Sequence, residues 1–268
     1  MHSEEQNTWL AKWVYSKLKS SAVGHMMDKT SQIKQWVASA RAITVLTGAG
    51  ISADSGIPTF RGEDGLWRNF RAEDLATPEA FARDPRLVWE WYDWRRGLIA
   101  SKTPNAGHHA LAEMERRCNR FTLITQNVDG FHALAGNRNL VELHGNIWKV
   151  RCTQCGVVSV NRDVPIQILS YCQLPSRKCG GLLRPHIVWF GEALDARDIE
   201  KSVATLQSCD VMLVIGTSGV VWPAASFAEI AKSAGAFVVE INLNPSAQSD
   251  LMDEVLVGRA SEVLPRLL

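Results

Sequence analysis

The apolar run Ala42-Ile43-Thr44-Val45-Leu46 leads without a break into Thr47-Gly48-Ala49-Gly50-Ile51-Ser52-Ala53. A strand without polar alternation is buried on both faces, the condition of a parallel sheet covered by helices. Gly48 and Gly50 permit a tight turn and let backbone N–H groups approach a diphosphate, and Ala53 fits the Gly/Ala position of a dinucleotide fingerprint. Such a fingerprint is weak alone, because glycine turns after strands are common. Its continuation is more specific. An ordinary dinucleotide-binding unit proceeds through a helix and a strand to an acidic residue about 20 residues on, which holds the ribose. Here the chain enters Asp54-Ser55-Gly56-Ile57-Pro58-Thr59-Phe60-Arg61-Gly62-Glu63-Asp64-Gly65-Leu66-Trp67. That stretch is too rich in Pro and Gly for a plain crossover helix, and it reads as a loop folded over the cofactor.

The whole motif, GAGISADSGIPTFRG, closely resembles the signature of the sirtuins, the NAD-dependent protein lysine deacylases. Thr125-Gln126-Asn127-Val128-Asp129-Gly130 is similar to the family's second motif, and Leu143-His144-Gly145-Asn146 to the segment with its catalytic histidine. Gly216-Thr217-Ser218 and Asn242-Leu243-Asn244 resemble its later cofactor loops. The matches occur in the family's order, from roughly residue 30 to 268. The resemblance implies an α/β fold: a Rossmann-like parallel-sheet domain with a smaller inserted domain made of a zinc-binding module and a helical module. A catalytic domain is expected over 28–268, its large part at 28–60, 103–149 and 183–268 and its small part at 61–102 and 150–182.

Length and composition agree with this. The 268 residues suffice for one large and one small domain. Apolar residues at 46% and charged residues at 21% are ordinary for a soluble globular protein. A formal charge of +1 gives no reason to expect nucleic acid or an anionic membrane as partner. No apolar run reaches the 18 or so residues of a membrane span. Residues 1–25 lack the apolar stretch of a secretory signal, and Glu4 and Glu5 argue against a mitochondrial presequence. The cysteine usage suggests a metal site in a reducing compartment rather than a disulfide framework. A cytoplasmic protein, acting as a monomer, is expected.

Residues 3–19 could form an amphipathic helix with Trp9, Trp13 and Val14 on one side. Residues 1–27 read either as an added or poorly ordered extension or as a segment that docks on the core or on another chain. Helices are expected over 33–40, 78–99 and 105–117. Strands are expected over 121–125, 140–143, 211–215, 237–241 and 255–257. Their alternation gives the parallel sheet. Residues 150–182, with Cys152, Cys155, Cys172, Cys179, Pro165 and Pro175, break this rhythm and look like an inserted module.

Backbone amides of Gly48, Ala49 and Ser52, near a helix N-terminus, suit a diphosphate. Gln126, Asn127 and Asp129 follow a strand end, where open α/β sheets bind ligands. By resemblance, Asn127 and Asp129 help to form the nicotinamide pocket, with Asn127 also taking part in catalysis, and Gln126 contacts the ribose. Asp54, Phe60 and Arg61 match cofactor-loop positions, with Phe60 shielding the reactive ribose carbon. Gly50, Ile51, Ala53, Pro58, Thr59, Trp67, Val128 and Ala260 complete the expected NAD set, together with Gly216, Thr217, Ser218, Asn242, Leu243 and Asn244. His144 is the candidate base, since imidazole titrates near neutral pH. His108, His109, His132 and His186 lack its context and read as structural. The segments containing Val188, Phe190 and Gly191, and Gly219 with Val220 and Val221, resemble the two edges between which an acylated lysine peptide pairs as a strand. Ordinary core strands would explain Val188 and Val221 equally well.

Cys152-Thr153-Gln154-Cys155 opens what should be a structural, tetrahedral zinc site. The family expects a second C-x-x-C ending near Cys179, but Ser176 stands there, giving C-x2-C-x16-C-x6-C with Cys172. Either Cys172 supplies the missing ligand through a longer loop or the site is weakened. Cys118 and Cys209 read as buried thiols. Tyr92 and Arg95 share a helix face, and this Tyr-x-x-Arg resembles the pair that recognises acidic acyl chains in the desuccinylating and demalonylating branch of bacterial-type sirtuins. Ala53 fits that branch, whose acyl pocket is roomy. An aromatic core helix with solvated arginines would give the same spacing. The function expected is NAD-dependent lysine deacylation releasing nicotinamide and O-acyl-ADP-ribose. ADP-ribosyl transfer to protein and a silent NAD or ADP-ribose sensor are the alternatives.

Overall fold

A computed structural model describes residues 29–58, 71–173 and 179–268. The helix expected over 3–19, together with Thr59, Phe60, Arg61, Trp67 and Ser176, lies outside the described residues. The strands are β1 (Ala42–Thr47), β2 (Arg120–Thr125), β3 (Leu140–Glu142), β4 (Gly145–Cys152), β5 (Val158–Val160), β6 (Leu183–Ile187), β7 (Val211–Ile215), β8 (Phe237–Asn242) and β9 (Glu254–Val257). The helices are α1 (Lys29–Ser39), α2 (Ala49–Ala53), α3 (Ala72–Leu75), α4 (Pro78–Arg83), α5 (Pro85–Ala100), α6 (Ala106–Arg117), α7 (Phe131–Ala135), α8 (Ala196–Leu206), α9 (Phe227–Ser233) and α10 (Ala260–Val263).

All six residues of β1 are buried, as its apolar run requires. It lies at the centre of a six-stranded sheet of order β3-β2-β1-β7-β8-β9, in which every neighbouring pair is parallel. Successive side chains of a strand point to opposite faces. Ile43 and Val45 therefore join Ile33, Leu111, Met114 and Leu213 in one core, under α1 and α6. Ala42 and Leu46 join Leu206, Met212, Val214 and Phe227 in another, under α8 and α9. A third core lies outside this sheet. Trp89, Trp91 and Tyr92 of α5 pack with Ile147, Trp148, Val150 and Trp189 against a three-stranded antiparallel sheet of order β5-β4-β6.

The single helix expected over 78–99 is two helices. Asp84 sits between them at φ −148°, ψ 85°, outside the helical region. Pro85 disfavours helical backbone at the residue before it. Asp84 Oδ1 then caps α5 by accepting the Leu87 amide at 3.0 Å. Asn105 is a cap rather than the first helical residue: its Oδ1 accepts the Gly107 amide at 2.9 Å. Cys209 is buried as expected, whereas Cys118 is only half-buried. Neither Arg95 nor Arg96 of α5 is solvated, whereas Arg86 in its first turn is exposed. Arg96 is fully buried and joins the helix to the small sheet. It donates to the carbonyls of Ile147 (2.9 Å), Asn161 (2.7 Å) and Asp163 (3.0 Å) and to Asn161 Oδ1 (2.6 Å), and lies 4.9 Å from the Trp148 ring.

Beyond this sheet, the sulfur atoms of Cys152, Cys155, Cys172 and Cys179 all lie within 4.8 Å of one another. Sγ–Sγ separations are 3.4 Å for Cys152–Cys179 and 3.8 Å for Cys155–Cys172. Four thiolates around one zinc at about 2.3 Å stand about 3.8 Å apart, so this set fits the metal. Cys172 is brought in by its amide, which donates to the Gly181 carbonyl at 2.8 Å. A Cβ at position 181 would lie 2.6 Å from Cys152 Sγ, which requires the glycine. Hydrogen bonds from the backbone, that of Cys155 first, bring the Cys152 thiol down to about 6, toward the thiolate that zinc needs. Four thiolates leave no open position, so the metal would be structural.

Two outcomes follow from this architecture. Arg96→Ala removes the donor to four acceptors, and urea denaturation should show a loss of roughly 2–4 kcal/mol. A loss below about 0.5 kcal/mol would show that the latch is idle. Metal analysis of the purified protein should find one zinc per chain, with Cys172→Ser weakening its retention against a chelator. Folded protein without zinc would overturn the assignment.

Candidate active site

A cleft of about 1110 Å³ opens above the carboxyl ends of β1, β2, β7 and β8. It lies where the sheet order reverses, because the chain passes from β1 to β2 on one side and places β7 on the other. The turns after β1 and β7 touch beneath it. Gly48 donates to the Ile215 carbonyl at 2.9 Å and Gly50 to the Gly216 carbonyl at 2.8 Å. A Cβ on Gly48 would lie 2.7 Å from the Gly216 oxygen, and one on Gly50 2.7 Å from Gly216 Cα. The Gly48 amide expected to face a diphosphate is thus engaged. These glycines serve by letting two backbones meet.

Gln126, Asn127, Val128 and Asp129 leave β2 and line the cleft beside Gly48, Ala49, Ser52 and Ala53. Gln126 Nε2 donates to Thr217 Oγ1 at 3.1 Å, joining the turns after β2 and β7. Asn127 Nδ2 donates to the Gly48 carbonyl (2.9 Å) and to Ser52 Oγ (3.2 Å). Its Oδ1 remains the group for a ligand. Ser52 Oγ in turn donates to Asp129 Oδ2 at 2.7 Å, and the Phe131 amide to Oδ1 at 2.8 Å. Burial raises the Asp129 carboxyl against these bonds and the charge of Arg95.

His144 lines the same cleft, half-buried. Its Nδ1 lies 2.9 Å from the Gln126 carbonyl oxygen. A carbonyl only accepts, so the proton sits on Nδ1 and Nε2 carries the lone pair. Burial pushes this histidine below its ordinary value, opposed by the Gln126 bond. It is therefore a neutral base at neutral pH. Among the described residues, the other histidines have fixed structural roles or lie outside the cleft lining. His108 Nδ1 accepts the Asn105 amide at 3.2 Å, and burial brings the ring down to about 4. His132 lies 2.9 Å from Thr47 Oγ1, which donates to Thr125 Oγ1 at 2.8 Å.

Tyr92 and Arg95 of α5 both reach the cleft. Tyr92 is 0% exposed and Arg95 9%. The Trp189 indole N–H donates to the Tyr92 oxygen at 2.9 Å, and the Arg95 guanidinium stacks 4.8 Å from the Trp91 ring and 5.5 Å from that of Tyr92. Val188, Phe190, Gly191 and Val221 line the mouth, whereas Val220 is exposed outside the lining. The Val188 amide donates to the His144 carbonyl (3.0 Å) and that of Phe190 to Ala76 (2.9 Å). The Trp189 amide donates to Glu192 Oε2 at 2.9 Å. Along this edge, the Gly191 amide and the carbonyls of Val188 and Phe190 have no backbone partner among the described residues and suit a strand-like ligand.

Pro58, Gly216, Thr217, Ser218, Asn242, Leu243 and Asn244 are in the lining as well. Three expected cofactor residues are not. Ile51 is 0% exposed in the core. Asp54 is held by Arg259 Nη1 (2.6 Å) and Ser261 Oγ (2.7 Å), which fastens α2 to α10. Ala260 packs beside Gly107. Trp189 and Trp222 are lining residues that sequence reading omitted. Alternation along 187–192 could have flagged Trp189, but nothing local distinguishes Trp222.

These features can be set beside known proteins. The model of the Sir2 family matches residues 48–223. The chain is 54% identical over 233 residues to the NAD-dependent protein deacylase 2 of Pyrobaculum aerophilum, covering 87% of this chain and 92% of that protein. A Sir2 homologue solved in complex with NAD superposes with a TM-score of 0.83 at 43% identity, covering 91% of this chain and 94% of that one. A Sir2 protein bound to an acetylated peptide superposes at 0.78 with 27% identity, over 90% of this chain and 97% of that one. With its sequence signature matched and its sheet order and cleft in place, this chain belongs to the Sir2 family, the sirtuins.

Proposed function

We propose that the chain is an NAD-dependent protein lysine deacylase that transfers the acyl group of a lysine side chain to ADP-ribose. The observation that carries this reading is His144, whose Nδ1–H is committed to the Gln126 carbonyl and whose Nε2 is a bare base in a cleft able to hold a dinucleotide. Asn127 and Asp129 beside it suit the carboxamide of nicotinamide, one through an unused Oδ1, the other as a buried carboxyl. NAD is consumed as a substrate. The acyl oxygen attacks the ribose carbon as nicotinamide departs with the bonding electron pair. His144 Nε2 then takes the proton of a ribose hydroxyl, which attacks the acyl carbon. One water completes the balance, giving free lysine, nicotinamide and O-acyl-ADP-ribose. The peptide would lie extended along the Gly191 edge, opposite Val221. Thiolate ligands for zinc suit a reducing compartment, the cytoplasm.

The acyl group most favoured is an acidic one. A succinyl or malonyl carboxylate must leave water, which is costly without a matched donor. Arg95 offers a permanently charged fork within the cleft wall. The Tyr92 oxygen already accepts the Trp189 N–H, so the phenolic hydrogen is the part of that group left to donate.

Activity should be flat through neutrality and fall on acidification, because the depressed His144 becomes protonated only below the ordinary 6.5. A pH profile of kcat/KM with an acid limb above 6.5 would remove His144 as the base. His144→Ala should lose about 10²–10⁴ in rate with ADP-ribose binding retained. Tyr92→Phe and Arg95→Met should cut desuccinylation about ten- to hundredfold, mainly through KM, and deacetylation far less. Equal losses on acetyl- and succinyl-lysine peptides would make both residues scaffold.

A further inference from the structure

Glu240 is a carboxylate, 1% exposed, in the otherwise apolar interior of β8. Nothing in the chemistry above uses it. Taking a carboxylate out of water costs several kcal/mol unless hydrogen bonds replace the solvent. Its partners are neutral donors from the last residue of the strand and the turn that follows it. Oε1 accepts the Ser246 backbone N–H at 2.9 Å and lies 3.4 Å from Asn242 Nδ2, and Oε2 accepts the Ser249 hydroxyl. That turn forms the β8 side of the cleft, through Asn244, Pro245 and Ser246. It is fastened on its other side too. Asn242 Nδ2 donates to the Thr217 carbonyl and Gln248 Nε2 to the Ala225 carbonyl, both at 2.8 Å. Glu240 thus grips the strand end and the turn from beneath at three points.

Its place in the sheet says which part of the ligand it serves. The reactive groups after β2 and the turn after β8 are separated by β1 and β7. Three steps of about 4.8 Å put them roughly 14 Å apart, a span suited to a dinucleotide laid across the carboxyl edge. The switch point between β1 and β7 lies midway and suits the diphosphate. The turn after β8 is then left for the adenosine half. We infer that Glu240 is a positioning residue for NAD, holding the turn over 242–249 in the shape that receives the adenosine end. The inference rests on the reading of the cleft as the NAD site.

The sign of one substitution separates this role from a simple charge effect. A buried negative charge near an anionic diphosphate opposes binding, so charge alone predicts that Glu240→Gln tightens NAD. Organisation of the turn predicts the reverse, since the amide replaces one acceptor oxygen by a donor facing Ser249. Full-length Glu240→Gln and Ser249→Ala proteins should be compared with the unsubstituted chain. The readouts are KM for NAD, KM for an acetylated peptide, kcat, ADP-ribose affinity by calorimetry and the urea midpoint. Glu240→Gln should raise the NAD KM and the ADP-ribose Kd roughly fivefold or more, as expected for about one lost hydrogen bond. Peptide KM and kcat should stay within about twofold. Ser249→Ala should shift the same two constants by a smaller factor, and it decides the matter if Glu240→Gln does not fold. Unchanged or tighter ADP-ribose binding would overturn the assignment, even with lowered stability, and so would an equal rise in peptide KM. Failure of the unsubstituted chain to bind ADP-ribose would instead count against the cofactor reading.

Discussion

The backbone contact between the turns after β1 and β7 fixes almost everything above it. Gly50 and Gly216 meet through a hydrogen bond of 2.8 Å, and Gly216 has a φ of +59°. A Cβ on Gly216 would fall 2.5 Å from the Ile51 nitrogen. No side chain fits between these turns, so the two halves of the sheet close against each other at the switch point. The cleft above the strand ends then has a floor of backbone. Gln126, Asn127 and Asp129 are aimed from that floor, because Asn127 and Gln126 bond to Gly48 and Thr217 of the two turns.

On this floor the polar groups satisfy one another, and that fixes their protonation states. The Asn127–Ser52–Asp129 series runs in one direction, since an amide N–H donates to the serine oxygen and the serine hydroxyl donates to the carboxylate. The Gln126 carbonyl fixes the His144 tautomer in the same way. Burial lowers His108, His132 and His144 together, so the imidazoles are neutral near pH 7. Asp129 and Arg95 both line this end of the cleft, and the charge of Arg95 acts on the Asp129 carboxyl. An acidic acyl group would enter beside a cation that already has an anion in its field.

The sheet was legible in the chain because each strand of the parallel sheet is buried on both faces and therefore reads as an apolar run. Helix boundaries were less legible. The break at Asp84 was written in Pro85, but the strong apolar pattern of 78–99 masked it. The zinc ligands show the limit of motif reading. Ser176 occupies the position of an expected cysteine, and only the pairing that joins Cys172 to Gly181 shows that a cysteine four positions earlier completes the set.

Residue types at fixed sequence positions determined the family, the α/β sheet, the NAD chemistry and the choice of His144, because those properties depend on local backbone freedom and on groups carried by contiguous motifs. Only the tertiary structure decided how the groups are used. It turned the Gly48 amide inward to Ile215 and tied Asp54 to Arg259 instead of the cleft. It also buried Arg95 and Arg96 of α5 and set Glu240 beneath the turn at 242–249. Each of these depends on partners far apart in the chain, and a hydrogen bond or a burial between distant segments leaves no trace in the local pattern of either one.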